Sequence, residues 1–295
     1  MRGQRPLVHE AEYVIRLSYS IYKSATYLPY SLPNALRETI MSLAHESLDF
    51  VAASPDESLH VCLARTAEDI AATQRLRHQV FIQEMGANLP DSTDGLEQDE
   101  FDPHCLHLMV TDTRCGQLVG STRLLLNEGA RAAGMFYSET EFHLQPVLSL
   151  GERLMEVSRT CIRPEYRTGA AIRTLWNGIA LQVIEHDIDY LFGCASLPMN
   201  DQGAHAQAIM DRIRPRYFTT PDLRVAPRLA LAEIFPLPYN APAMLPALLK
   251  AYLRLGARVG GEACWDPLFN VADVFVLLNR DQLAPRYARS FLECA

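Results

Sequence analysis

The stretch LMEVSRTCIRPEYRTGAAIRTLWNGIALQVIEHDIDYLFGCAS, residues 154–196, decides the fold. Leu154–Ile162 alternates as a strand, and Pro164 ends it, because proline has no N–H to give to a ladder. Ile172, Leu175, Trp176, Ile179 and Val183 then recur at helical spacing and predict a helix from about 170 to 187. Tyr190–Ser196 is a second apolar run of strand length.

Upstream, Leu59–Ala64 reads as a strand. Thr66 followed by Asp69 makes a capping box that starts a helix, and Gly86 is a natural stop. An acidic loop spans Asn88 to Pro103. The runs His107–Asp112 and Gln117–Leu126, joined by Thr113-Arg-Cys-Gly116, predict a hairpin. A Gly/Ala-containing connection leads from there to Leu154. Downstream, residues 200–257 are mostly helical and punctuated by proline. Arg258–Cys264, the loop Trp265–Asn270 and the apolar strand Ala272–Leu278 close the domain. Strands and helices in this order predict an α/β fold, a mixed sheet with helices on its faces.

Residues 1–57 read as a helical N-terminal extension, with helices over 7–27 and 33–53, and residues 58–295 as the main domain. The first helix carries Tyr13, Ile15, Leu17, Tyr19, Ile21 and Tyr22. Packing on the main domain is the simpler use of that surface, and contact with a membrane interface the other.

The 295 residues carry a net charge of −8, which excludes a dominant nucleic-acid footprint. Seven scattered cysteines without a Cys-x-x-Cys pair fit neither a zinc site nor a disulfide framework, and they imply a reducing, cytoplasmic setting. No Gly-x-Ser-x-Gly elbow marks a serine hydrolase. The loop acids lack the spacing of a calcium loop, so no metal is expected.

Chemistry concentrates in four places. Arg77-His-Gln-Val-Phe81 lies on the early helix, Glu97-x-Asp99-x-x-Asp102 in the loop, Gly120-Ser-Thr-Arg123 in one strand and Glu156-Val-Ser-Arg159 in another. A charge inside an apolar strand costs free energy unless it is paired or faces a cleft, which makes Arg123 and Arg159 the sharper signals. Read alone, each arginine serves a structural ion pair equally well, and the loop acids belong to a solvated face.

Together, in this order and spacing, these motifs resemble the acyl-homoserine-lactone synthases. Arg163-Pro-Glu-Tyr-Arg167-Thr and Gly261-Glu-Ala-Cys-Trp265-Asp-Pro-Leu-Phe-Asn-Val-Ala-Asp273 look like the related ornithine-acyl-ACP N-acyltransferases, over roughly residues 58–290. The resemblance implies a GNAT fold with a splayed central sheet, an acyl-ACP donor whose phosphopantetheine thioester is a co-substrate rather than a bound cofactor, and an amino-acid acceptor acylated on its α-amine. The product would be a lyso-ornithine lipid made in the cytoplasm or at the inner membrane surface. Glycine, glutamine, lysine or a lactone-forming acceptor, or a non-catalytic membrane-interaction protein, are the other readings. Two departures separate this chain from its wider kin. A single Gly169 stands where an acetyl-CoA enzyme has a glycine-rich pyrophosphate cradle, and Ala87-Asn-Leu89 stands where the lactone synthases have a tryptophan.

Attack on a thioester requires a neutral amine, so a carboxylate should accept a proton. Glu156, on a strand expected to face the cleft, is the first candidate, with Glu97 and Asp99 as alternatives that could instead bind the acceptor's ammonium groups. Arg159 completes the catalytic group. Arg77, Phe81, Asp102 and Arg123 are expected around the acyl-pantetheine, with Phe101 and Leu125 as acyl-pocket candidates. Arg163, Arg167 and Arg173 form a basic patch for an acidic carrier protein. Period two puts Glu156 and Arg159 on opposite faces, so they share a site only if a bulge intervenes between them.

Overall fold

The computed structural model of the chain describes residues 58–89, 94–167, 169–231 and 244–283. The helices expected over 7–27 and 33–53 lie outside the described residues.

Strand β1 (Leu59–Leu63) leads into helix α1 (Ala67–Arg77). Thr66 Oγ1 accepts from Asp69 N at 3.1 Å and Asp69 Oδ2 from Thr66 N at 2.9 Å, the reciprocal cap the sequence predicts. The helix does not run on evenly to Gly86. His78–Glu84 widens to a π-type turn in which Met85 N reaches back to Val80 O, and such turns often mark functional positions.

β2 (Leu106–Asp112) and β3 (Gln117–Leu126) form the expected hairpin. The connection that follows holds more structure than its composition suggests. It contains α2 (Asn127–Ala133), a 3₁₀ turn over Tyr137–Thr140, β4 (Phe142–His143) and α3 (Gln145–Leu148). Next come β5 (Leu154–Ile162), α4 (Ala170–Glu185), β6 (Tyr190–Pro198) and α5 (Ala204–Tyr217). The short β7 (Ala226–Pro227) pairs with β4. α6 (Ala247–Leu255), β8 (Arg258–Val259), β9 (Cys264–Asp266) and β10 (Val271–Asn279) complete the described chain. Trp265, expected in a loop, lies on β9 because Ala272 of β10 pairs with it.

The large sheet runs β1-β2-β3-β5-β6-β10-β8, with β9 also on β10. β5 and β6 are parallel and every other pair in it is antiparallel. Period-two alternation divides the apolar side chains between two faces. Leu124, Met155, Val274 and Val276 share one core with α4 residues Leu175 and Ile179 on one face. Leu125, Leu154, Phe192 and Phe275 pack with Phe136 and Phe142 on the other. β10 is buried on both, which accounts for its continuous apolar run.

One break in this sheet creates the site. β5 and β6 pair only over Leu154–Glu156 and Tyr190–Phe192, then diverge into a fork. At the fork Gly193 lies against β5, where a Cβ would stand 2.2 Å from the carbonyl oxygen of Val157. Only glycine permits that approach. The splayed mixed sheet agrees with the expectation.

Candidate active site

A cavity of about 280 Å³ opens where the two strands part. Ser158, Arg159 and Thr160 wall it from β5, Cys194 and Ser196 from β6, and Asp273 from β10. The π-type turn contributes Phe81, and the 137–141 segment contributes Tyr137, Ser138 and Glu141.

The expected bulge is present. Ser121 faces Cys161 while Arg123 faces Ser158, so Thr122 alone spans Arg159 and Thr160. Arg159 takes a left-handed φ of 53°, uncommon for a residue with a side chain. This break turns Arg159 to the face that Arg123 and Glu156 occupy. Its guanidinium shares Asp99 with Arg123 and lies 4.5 Å from the ring centre of Tyr137 and 5.1 Å from that of Phe269.

Beneath the cavity, three arginines and three carboxylates cancel charge for charge. Arg77 donates to Asp102 through Nη1 and Nη2 at 2.8 and 2.7 Å, and to the Glu97 carboxylate through Nε. Arg123 donates to Asp102 at 2.9 Å and to Asp99. Arg159 closes the ring with Glu97 at 3.0 Å and Asp99 at 3.1 Å. Arg77, Arg123 and Glu97 are each 1% exposed.

The loop acids are therefore the buried partners of the arginines and form no solvated face. Burial alone would raise Asp99 and Asp102, but the guanidiniums outweigh it and hold both carboxyls below the usual range. Ion pairing of this kind suits a scaffold more than a proton acceptor. Of the residues expected around the acyl-pantetheine, only Phe81 lines the cavity. Arg77, Asp102 and Arg123 sit beneath it. Phe101 and Leu125 are core residues of the same face.

Glu156 does not face the cleft as expected. It is fully buried, and its carboxylate accepts Tyr137 N–H and Ser138 N–H at 2.7 Å each, together with the Ser138 hydroxyl. Regular pleating before the bulge turns it under the Tyr137–Thr140 turn. Burial raises its pKa, while those three donors favour the charged form. Tyr137 and Ser138, whose N–H groups it holds, reach the cavity together with Glu141 three residues beyond.

The acids that do line the cavity are Glu141, Asp266 and Asp273, each offering an oxygen within 4.8 Å of the others. Burial and mutual repulsion push Glu141 up to about 8, and burial pushes Asp273 up to about 6. Asp273 was findable from sequence, since it is a charge in the apolar run Val271–Asn279, the signal already used for Arg123. Glu141 follows an irregular segment and carries no such mark.

A GNAT acetyltransferase domain model matches residues 76–177. An L-ornithine N(alpha)-acyltransferase of Rhodobacter capsulatus is 36% identical over 249 residues, covering 78% of this chain and 93% of that protein. One of Rhizobium meliloti is 35% identical over 278 residues, covering 85% and 88%. The chain belongs to the L-ornithine N(alpha)-acyltransferases. Among solved structures, an N-acyl amino acid synthase from uncultured soil microbes has 13% identity and a TM-score of 0.48, covering 79% of this chain and 98% of its own.

Members of this family are named for transfer of an acyl group to the α-amine of L-ornithine, and this chain is an N-acyltransferase of that kind. That reaction needs a slot for an acyl donor and a polar place for a charged amino acid, and the fork with its acidic wall offers both kinds of surface. The proposed docking arginines lie at one end of the fork. Arg163 Nε donates to Leu118 O at 2.8 Å, Arg167 pairs with Glu84 at 2.5 and 2.8 Å, and Arg173 is exposed on the first turn of α4. Among the described residues, no helix is long and apolar enough to cross a membrane.

Proposed function

We infer that the donor is a thioester of acyl carrier protein, and that its phosphopantetheine arm enters at the fork between β5 and β6. The observation that carries this reading is the start of α4. A single Gly169, at φ 100°, precedes the helix, with the Arg173 guanidinium 3.8 Å from where its Cβ would be. A helix N-terminus beside one exposed arginine suits the single phosphate of a pantetheine arm better than the pyrophosphate of coenzyme A. Arg163, Arg167 and Arg173 give an otherwise acidic chain a local basic patch, the complement of an acidic carrier.

In the reaction, the ornithine α-nitrogen forms a bond to the thioester carbonyl carbon. The C–S bond breaks, and the pantetheine thiol leaves with the proton the amine gives up. The bulge at Arg159–Thr160 interrupts one-to-one pairing with Thr122 beside the cavity, and backbone N–H groups there would meet the oxyanion. We assign no separate cofactor or metal to this chemistry. Glu156 acts as a positioning residue through the 137–141 segment, and Arg77, Glu97, Asp99, Asp102 and Arg123 hold Arg159 where it meets the substrate. Such a reaction turns a water-soluble donor and acceptor into an amphiphilic product, which fits the cytoplasmic side of a membrane surface.

The test is a rate comparison between acyl-ACP and the same acyl group on coenzyme A, with L-ornithine as acceptor. The expected result is a kcat/KM at least tenfold higher for acyl-ACP. Arg173→Glu should raise KM for acyl-ACP severalfold, and added salt should have the same effect. Equal use of the two thioesters would overturn the reading.

A further inference from the structure

Glu141, Asp266 and Asp273 gather three carboxylates on one wall of the cavity. Glu141 is 8% exposed and Asp273 is 4% exposed, so their mutual repulsion is poorly screened. Their neighbours bring hydrogen bonds but little charge. Asp273 accepts from Ser196 Oγ at 2.7 Å, and Asp266 accepts from Leu268 N and Phe269 N at 2.7 and 3.2 Å. Oε2 of Glu141 has no hydrogen-bond partner, although the residue is more than nine-tenths buried. The cation on the same wall, Arg159, is held by Glu97 and Asp99. A buried, unpartnered acceptor beside two further carboxylates is a receptor for a cation.

We propose that Glu141, Asp266 and Asp273 bind the side-chain ammonium of ornithine and keep it charged while the α-amine reacts. This rests on ornithine as the acceptor. A nucleophilic amine must be neutral, whereas a ring of carboxylates raises the pKa of any amine it holds. The cluster therefore suits the amine that must not react, since an ammonium has no lone pair with which to attack a carbonyl carbon. The α-amine, outside the cluster, forms the amide as the C–S bond breaks and the thiol takes up its proton. Selection of the α-nitrogen over the more basic δ-nitrogen then follows from where the cavity concentrates negative charge. An acceptor without the δ-amine would leave the three acids unpaired, which penalises it strongly.

The test uses the full chain with L-ornithine and L-norvaline, which has the same carbon skeleton without the δ-amine, against a common acyl donor. In the wild type the ratio of kcat/KM values should favour ornithine at least a hundredfold. In Glu141→Gln and in Asp273→Asn that ratio should fall at least tenfold, with the rise in KM confined to ornithine and the acyl-donor KM holding. As a second readout, L-ornithine with EDTA present should raise the melting temperature of the wild type and not that of Glu141→Gln, and Mg²⁺ or Ca²⁺, tried separately without EDTA, should not. A retained ornithine preference in Glu141→Gln, or equal use of norvaline by the wild type, overturns the proposal. So does a melting shift produced by Mg²⁺ or Ca²⁺ in place of ornithine, which would make the trio a metal site. A wild type that acylates neither amine removes the acceptor assignment itself, an outcome distinct from a lost ratio.

Discussion

Asp102 is the keystone of the buried ion network, and Asp102→Asn tests the network most sharply. Its carboxylate accepts from Arg77 Nη1 and Nη2 at 2.8 and 2.7 Å and from Arg123 Nη1 at 2.9 Å. It also accepts from Gln74 Nε2 at 3.1 Å and Asp99 N at 3.3 Å. The asparagine removes one negative charge and turns an amide toward groups that only donate. Arg77 and Arg123, each 1% exposed, are then left with an uncompensated positive charge. Removing one partner of a buried pair costs about 3–5 kcal/mol, a large share of the roughly 5–15 kcal/mol that holds a domain folded. For a domain of this size the melting temperature should drop by roughly 6–20 °C. Circular dichroism during heating reads the loss. Asp99→Asn, at a residue 21% exposed on its side chain, should cost less. The pH dependence has a definite sign. The folded-state pKa of Asp102 lies below its unfolded value, so its stabilisation is complete above about pH 4 and is lost as pH falls through the depressed value. The wild type and Asp102→Asn should accordingly differ most at neutral pH and converge in acid. A loss under about 1 kcal/mol at pH 7 would mean instead that water or relaxation already neutralises the pair, and that Asp102 does not hold the network.

Two further outcomes follow from the geometry around the fork. Gly193→Ala must push Val157 away, since its Cβ would stand 2.2 Å from that carbonyl; a loss of about 1–3 kcal/mol is expected, with acyl transfer falling more steeply than thermal stability. Glu156→Gln exchanges one carboxylate oxygen for a donor facing the N–H groups of Tyr137 and Ser138. The turn that carries Glu141 should shift, raising KM for ornithine as well as lowering kcat, whereas loss of a general base alone would lower kcat at unchanged KM.

Much of the scaffold was legible in the residues. The 154–196 pattern gave strand, helix and strand because each element is long, periodic and bounded by Pro164 or a polar turn. The bulge followed from a requirement, since Glu156 and Arg159 could share a face only if alternation broke between them. The partners of the arginines were harder to see. Arg77 and Asp102 are 25 residues apart, Arg159 and Glu97 are 62 apart, and local spacing carries no information about such pairs. Read locally, the loop acids belonged to solvent; the fold buries them against cations from three other elements. The connection 127–148 was the largest omission, because short helices and 3₁₀ turns leave no period to detect. It supplies Tyr137, Ser138 and Glu141, and with Glu141 one of the three acids of the wall. Glu156 was expected to face the cleft as the proton acceptor; alternation fixes the face of the strand on which it lies but not which way along that face it points.

The proposed mechanism requires thioester and amine to meet at the fork between β5 and β6. A crystal structure with a non-hydrolysable acyl-pantetheine analogue tests it directly. The pantetheine arm should lie between Val157–Ile162 and Cys194–Ser196, with the thioester carbonyl beside the Arg159–Thr160 bulge. An arm bound elsewhere, with β5 and β6 closed upon each other, would contradict it.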